Sequence, residues 1–410
     1  MKELDINFVR NEYPSLRDDY VYFDNAGGSQ TLRRVMDKIT EYYMTSDVQL
    51  GGIYSVSTQA RARVNHGTAQ IAQFLNTSKA HEAVIGSSTT ALIRLFSIVI
   101  GKTLQAGDEI IITNADHESN VSPWKSLKEK GVIVKTWEFN KETLMLELED
   151  LKALMTPKTK LVAFCQVSNI FGTLHPVKAI ADYVHSQGAL VFVDGVAAAP
   201  HRLPDVQAMD ADFYVCSIYK IFGPHIGVMY GKEDILLKLP GINHEFIPED
   251  DLPYKFQPGG PNYELTYSLS GIVEYLQAVA QHHGMDANRP LREQMQYAYD
   301  LFDLHEERLT ERLLDFLNSK SKVQIIGKNI ADRSQRVCTV AFVVEGVHAS
   351  VIDQQVTAQN IGIKTGNFYA GGITKALDLD EQGGVIRISM AHYNTFEELD
   401  RLIAVMDKLF

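Results

Sequence analysis

Lys220 is the residue of this chain best suited to covalent chemistry. Between Phe213 and Gly231, FYVCSIYKIFGPHIGVMYG, it is the only Lys, Arg, Asp or Glu. A lone lysine is ordinarily a solvated surface charge. Here an apolar run precedes it, Gly-Pro follows, and a second apolar run succeeds, which puts the amine near or inside the core. Burial disfavours the ammonium form and lowers its pKa. A neutral amine is what Schiff-base chemistry requires. Asp194 closes a second apolar run, ALVFVDG, so it stands where a strand reaches the carboxyl edge of a sheet, and open α/β sheets bind ligands at that edge. An Asp before Gly195 could equally cap a turn. Paired with Lys220, it reads as the carboxylate that keeps a pyridine nitrogen protonated, so that the ring draws electrons.

Two further segments suit the same site. In GSSTTALIRLF (86–96), Gly and hydroxyl residues lead directly into a helix. The free N–H groups and dipole of a helix N-terminus favour a phosphate, although plain N-capping by Ser or Thr also fits. In DHESNVSPW (116–124), His117 follows the strand-like IIIT. A lone histidine is more often structural, yet in such a site it could stack on a ring or shuttle a proton.

Positioning these residues takes a scaffold of strands alternating with helices. Strand-like runs lie at 110–113, 161–167, 189–194 and 213–217. Helix-like stretches lie at 57–76, 89–100, 120–130 and 176–187. The alternation predicts an α/β fold with a mainly parallel sheet covered on both faces. After QPGGPNYE (257–264) the pattern changes. Helices at 265–282 and 290–319 precede strand-like VQII and VCTVAFVV, a helix at 349–359, strand 385–389 and a last helix at 396–409. This predicts a large domain over 20–282 and a smaller α+β domain over 283–410, with residues 1–19 joining the latter.

The bulk properties set limits. The 410 residues carry a net charge of −12, 45% hydrophobic and 22% charged residues. An acidic chain without basic clusters argues against nucleic-acid binding. No run reaches the length of a membrane span, and MKELDINFVRNEYPSL lacks a signal peptide's apolar core, so a cytoplasmic protein is expected. Cys165, Cys216 and Cys338 fall inside apolar runs as expected core residues. Their spacing suits neither a disulfide framework nor a zinc site, and no metal is expected.

Taken in order, these motifs resemble the class V aminotransferase superfamily, in particular its cysteine desulfurase-like branch, from YFDNAGGS (22–29) to RISMAHYNT (387–395). The resemblance implies the pyridoxal-phosphate (PLP)-dependent transferase fold, of the aspartate aminotransferase type. It implies that Lys220 carries pyridoxal 5′-phosphate, that Thr89, Thr90 and Ser217 cradle its phosphate, and that Tyr219 stands where desulfurases usually have a phosphate-reaching His. His117 matches the residue stacked on the ring, Asn169 the group near the ring hydroxyl, and Asp194 the partner of the ring nitrogen. Arg387 matches the anchor of the substrate α-carboxylate, with Lys364, in place of a usual Arg, and Asn367 beside it. In GGPNYE (259–264), Tyr263 belongs to a loop that reaches a neighbouring subunit's phosphate, implying a homodimer with shared sites; a plain interdomain turn would also explain its Gly-Pro content.

Departures from the family bear on the reaction. Ala197 replaces a frequent Gln near the ring hydroxyl, and Gln166 is a candidate substitute. Tyr369 stands where some desulfurases carry a sulfur-accepting Cys. The expectation is a PLP enzyme acting on a small amino acid, cleaving a carbon–sulfur bond of cysteine or a relative without a loop persulfide. An aminotransferase or an amino-acid epimerase are the alternatives within the superfamily. An inactive scaffold is a third reading, which the joint presence of Lys220, Asp194, His117 and Arg387 opposes.

Overall fold

In a computed structural model that describes residues 2–409, seven strands form the central sheet. They are β1 (Ala83–Gly86), β2 (Glu109–Thr113), β3 (Ile133–Trp137), β4 (Thr159–Cys165), β5 (Leu190–Asp194), β6 (Phe213–Ser217) and β7 (Gly227–Gly231). Their order across the sheet is β1-β7-β6-β5-β4-β2-β3. β7 runs antiparallel to both neighbours and the other pairings are parallel. Burial on both faces explains why β4, β5 and β6 are near-continuous apolar runs. Alternate side chains feed opposite layers: Phe213 and Val215 enter one apolar cluster, Tyr214 and Cys216 the other.

Helices close both layers. α1 (Arg33–Ser46) and α2 (Ser55–Leu75) precede the sheet, α3 (Thr89–Gly101) follows β1, and α4 (Val177–Ser186) links β4 to β5. α3 buries Leu92, Ile93 and Phe96 on the side of Phe213. α2 and α4 bury Ile71, Phe74, Ile180 and Val184 on the other. The stretch expected as one helix over 120–130 is a short helix, Ser122–Lys125, continued by a 3₁₀ turn, Ser126–Lys130. Gly131, with φ of 80°, ends it. The helix expected over 265–282 divides at Leu269 into Tyr263–Ser268 and α5 (Ser270–His282). The strand expected to run to 167 ends at Cys165.

Beyond α5, α6 (Leu291–Asn318) runs from one core into another. Its Met295, Ala298 and Phe302 belong to the cluster of the large sheet, whereas Leu309, Leu313 and Leu317 belong to that of a second sheet. That sheet holds β8 (Val323–Ile325), β9 (Thr339–Val344), β10 (Lys364–Gly366) and β11 (Val385–Ser389), antiparallel in the order β10-β11-β9-β8. α7 (Ala349–Thr357) and α8 (Phe396–Met406) pack on it through Ile352, Val356, Leu399 and Leu402. Apolar packing therefore changes hands within α6 rather than at residue 283. Residues 21–23 also differ from the expected large-domain placement. Val21 and Tyr22 pair in parallel with Ile361 and Gly362, and Val21 and Phe23 are buried in the second cluster. The segment before them touches both bodies. Val9 and Tyr13 enter the large cluster, while Arg10 Nη1 donates to the Tyr393 carbonyl at 2.8 Å and to Glu398 at 2.9 Å.

Candidate active site

The carboxyl ends of β2, β4, β5 and β6 open onto one cleft with an empty volume of ≈ 440 Å³. Thr89, Thr90, His117, Asn169, Asp194, Ser217, Tyr219 and Lys220 line it, so eight of the residues singled out from sequence converge in space. Arg387 adjoins it through Asn169, whose carbonyl accepts from Nη1 at 3.1 Å. Lys364 and Asn367 are exposed and do not line the cleft, and half-buried Tyr263 borders a separate cavity next to Gln49 and Gly260.

Lys220 ends the 3₁₀ turn that follows β6 and is 8% exposed. Burial and then the nearby Arg387 charge lower its amine to about 8, against the opposing pull of Asp194 and Asp24. Asp194 is the last residue of β5. Burial raises its carboxyl to about 6, offset by the Val196 N–H donated to Oδ1 at 2.9 Å and by Lys220. A cation held against this carboxylate returns it toward the ordinary range.

Sequence reasoning overlooked Asp116, which lines the same cleft. Burial and the field of Asp194 push it up to about 8, and Thr113 Oγ1 donates to its Oδ2 at 2.8 Å. Both buried acids are thus raised, Asp116 further than Asp194. The signal was present as an acid beside His117, but the histidine drew the chemical reading. His117 is lowered to about 4 by burial, then by Lys220 and Arg387, so its ring is neutral. Its Nδ1 accepts the Ser119 N–H at 3.1 Å, which leaves the ring proton on Nε2.

At the other end, Ser88 caps α3 by accepting the Ala91 N–H at 3.1 Å, and Thr89 Oγ1 lies 2.7 Å from Ser217 Oγ. These hydroxyls meet the free N–H groups of the helix start, a setting suited to a phosphate. β7 approaches so closely that a Cβ on Gly227 would lie 2.5 Å from the Thr89 nitrogen. Tyr219 stacks on His225 at 4.7 Å between ring centroids, and burial raises its phenol. Cys165, Val167 and Asn169 face the cleft on alternate positions, which turns Gln166 away. Gln166 Oε1 instead accepts from Tyr214 at 2.9 Å, so Gln166 does not replace the Gln lost at Ala197.

The three cysteines are buried, but Cys165 sits in the cleft wall rather than in plain core. Cys338 belongs to a buried trio with His201 and Glu306, whose ligand atoms lie within 4.8 Å of one another. His201 Nδ1 is 2.9 Å from Glu306 Oε2 and the Cys338 thiol donates to the Met390 carbonyl at 3.1 Å.

The donor set fits pyridoxal phosphate. The cleft presents a buried amine, a carboxylate at a strand end, a helix N-terminus with two hydroxyls, and on Asn169 an amide oxygen that is buried without a partner. The mainly parallel sheet and the donor set at its carboxyl edge suit a PLP enzyme. Residues 21–402 match the family model for aminotransferase class-V. An aminotransferase-like protein of Gibberella zeae is 37% identical, covering 98% of each chain. A cysteine desulfurase-like protein of Aspergillus flavus is 33% identical over 99% of this chain and 91% of its own. The cysteine desulfurase CsdA from Escherichia coli superposes with a TM-score of 0.84 at 26% identity, covering 99% of this chain and 98% of its own. The chain belongs to the aminotransferase class-V family and is a PLP-dependent enzyme. No helix among the described residues is long and apolar enough to cross a membrane.

Proposed function

We propose that Lys220 carries the cofactor and that the enzyme cleaves the carbon–sulfur bond of cysteine or a close relative. The buried amine of Lys220 facing Asp194 across the cleft carries the first half of this reading; similarity to cysteine desulfurase-like relatives supports the second. When bound, pyridoxal phosphate supplies a sink for the electrons left on the substrate α-carbon. Asp194 would hold the ring nitrogen protonated, Asn169 would offer its unpartnered amide oxygen to the ring hydroxyl, and His117 would lie against the ring. Thr89, Thr90, Ser217 and Tyr219 take the phosphate. Arg387 takes the substrate α-carboxylate, with exposed Lys364 on the neighbouring strand β10 and Asn367 just beyond that strand at its edge. Lys220 Nζ, whose proton affinity burial lowers, is the group that would accept and return the α-proton.

Tyr369 gives the reading its particular form. A phenol cannot accept sulfur as a persulfide, so the sulfur leaves as sulfide, with pyruvate and ammonia, as in a lyase. Water supplies the missing atoms and no oxidant is consumed. A homodimer and a cytoplasmic location belong to the same reading, the latter supported by three unpaired cysteines. Borohydride reduction and peptide mapping should place the cofactor mass on Lys220; a label on another lysine overturns that assignment. An amino-acid panel scored for sulfide, pyruvate, keto acid and racemised product tests the rest. Transamination or racemisation without sulfide makes the enzyme an aminotransferase or an epimerase.

A further inference from the structure

Arg387 is already engaged from three sides. Nη2 donates to Asp24 Oδ1 at 2.8 Å, Nη1 donates to the Asn169 carbonyl at 3.1 Å, and the guanidinium carbon lies 3.8 Å from the centre of the Phe368 ring. Nε is buried without a partner. The Asn169 carbonyl and the Phe368 ring fix the plane of the guanidinium, so its orientation has two supports besides Asp24. What Asp24 alone adds is negative charge, and the α-carboxylate of a substrate brings the same charge to the same group. Two carboxylates on one buried guanidinium leave an uncompensated negative charge, which is costly away from water.

Asp24 also has somewhere to go. Its side chain is 31% exposed against 3% for Arg387. It lines an open cavity with an empty volume of ≈ 960 Å³ together with Arg17, Tyr20, Asn25 and Gln30. Its placement depends on a small neighbour, because a Cβ on Gly27 would stand 2.8 Å from Asp24 Oδ2.

We propose that Asp24 is a built-in competitor for the carboxylate position: it neutralises Arg387 while the site is empty and turns into the adjacent cavity when a substrate carboxylate takes its place. The inference rests on the reading of Arg387 as the carboxylate anchor. It makes Asp24 a specificity-determining residue. A carboxylate without an amino group has to displace Asp24 unaided, whereas an amino acid is also held through its nitrogen. Simple carboxylates are thereby kept out of the site.

Calorimetric titration of the holoenzyme with propionate tests this. Asp24→Asn should bind propionate roughly tenfold more tightly than the parent, with melting temperature and cofactor absorbance confirming an intact holoenzyme. Adding Arg387→Ala should abolish the gain. Unchanged or weaker binding by Asp24→Asn overturns the competitor role. A gain that survives Arg387→Ala shows instead that Arg387 is not the carboxylate anchor. If Asp24→Asn does not fold, Gly27→Ala gives the same answer, because it crowds the Asp24 carboxylate without removing it. Tighter propionate binding by Gly27→Ala supports the proposal, and parent-like binding overturns it.

Discussion

At the scale of single residues, burial sets the chemistry of the cleft by moving Lys220, Asp194, Asp116 and His117 away from their ordinary titration ranges. Asp194 is expected to govern turnover rather than cofactor retention. An amide cannot hold the ring nitrogen protonated, so Asp194→Asn should stay yellow and folded while kcat falls by roughly a hundredfold or more. Near-parental kcat would give Asp194 a structural role only. Lys220 carries a second expectation, for the cofactor-free chain. Its amine titrates near 8 when folded and near 10.5 when unfolded. Between those values the unfolded chain binds the extra proton, so stability rises with pH across that window. Below it the folded state carries the full penalty of a buried ammonium, about 3 kcal/mol. Lys220→Met should therefore exceed the parent in urea stability by about that amount at pH 7, with the gap closing toward pH 10.5. A gap of constant size would show that packing, not charge, separates the two proteins.

At the scale of elements, the loop after β10 shows what replaces a sulfur-accepting cysteine. Phe368 and Tyr369 both adopt left-handed backbone, with φ of 52° and 58°. Such residues cost roughly 1 kcal/mol each and need outside support. Here the Phe368 carbonyl accepts from Asn169 Nδ2 at 3.0 Å, and the Tyr369 carbonyl from the Glu118 N–H at 2.7 Å. The loop thus presents Tyr369, 71% exposed, with its ring 5.3 Å from that of His117. Mass spectrometry after turnover of cysteine should find no +32 Da adduct in KTGNFYAGG, because a phenol forms no persulfide. Cys216 should carry none either. It points into the layer opposite Ser217, and burial pushes its thiol up to about 12. An adduct formed on Cys216 during turnover would overturn the lyase-like outcome. Sequence alone made these placements legible wherever a strand end or helix start carried the residue. Lys220, Asp194, His117 and Thr89 each announce their position by the apolar run beside them. Asp24 and the parallel pairing of Val21 with Ile361 left no such mark, because their partners lie more than 300 residues away in the chain. β3, at the sheet edge with two exposed, two half-buried and one buried residue, was missed because it lacks the apolar run of the inner strands.

At the scale of the whole molecule, the surface between α1 and α2 is unlike the rest of the exterior. Tyr43, Met44, Ile53 and Tyr54 are large apolar side chains left 51%, 80%, 101% and 52% exposed. They lie beside the segment that carries Tyr263, since Tyr43 donates to Glu264 at 2.6 Å and Tyr263 to Gln49 at 3.2 Å. Apolar side chains grouped this way mark a contact surface, and on the proposed dimeric reading Tyr263, outside its own chain's cleft, would belong to the partner's. The enzyme is therefore expected to sediment at about twice its chain mass of 45.9 kDa. A double substitution, Met44→Asp with Ile53→Asp, should give a monomer, since each charge buried in an apolar contact without a partner costs about 2 kcal/mol or more. The monomer should lose cofactor affinity together with activity. Tyr263→Ala separates the two effects: it leaves the exposed apolar residues in place, so the dimer should persist while the cofactor binds more weakly. Mixing Tyr263→Ala with Lys220→Ala then decides whether sites are shared. In a hybrid dimer, the one chain that keeps Lys220 receives an intact Tyr263 from its partner, so at limiting cofactor the mixture should exceed the summed activity of the two variants. A monomeric parent, or a mixture no more active than that sum, would confine each site to a single chain.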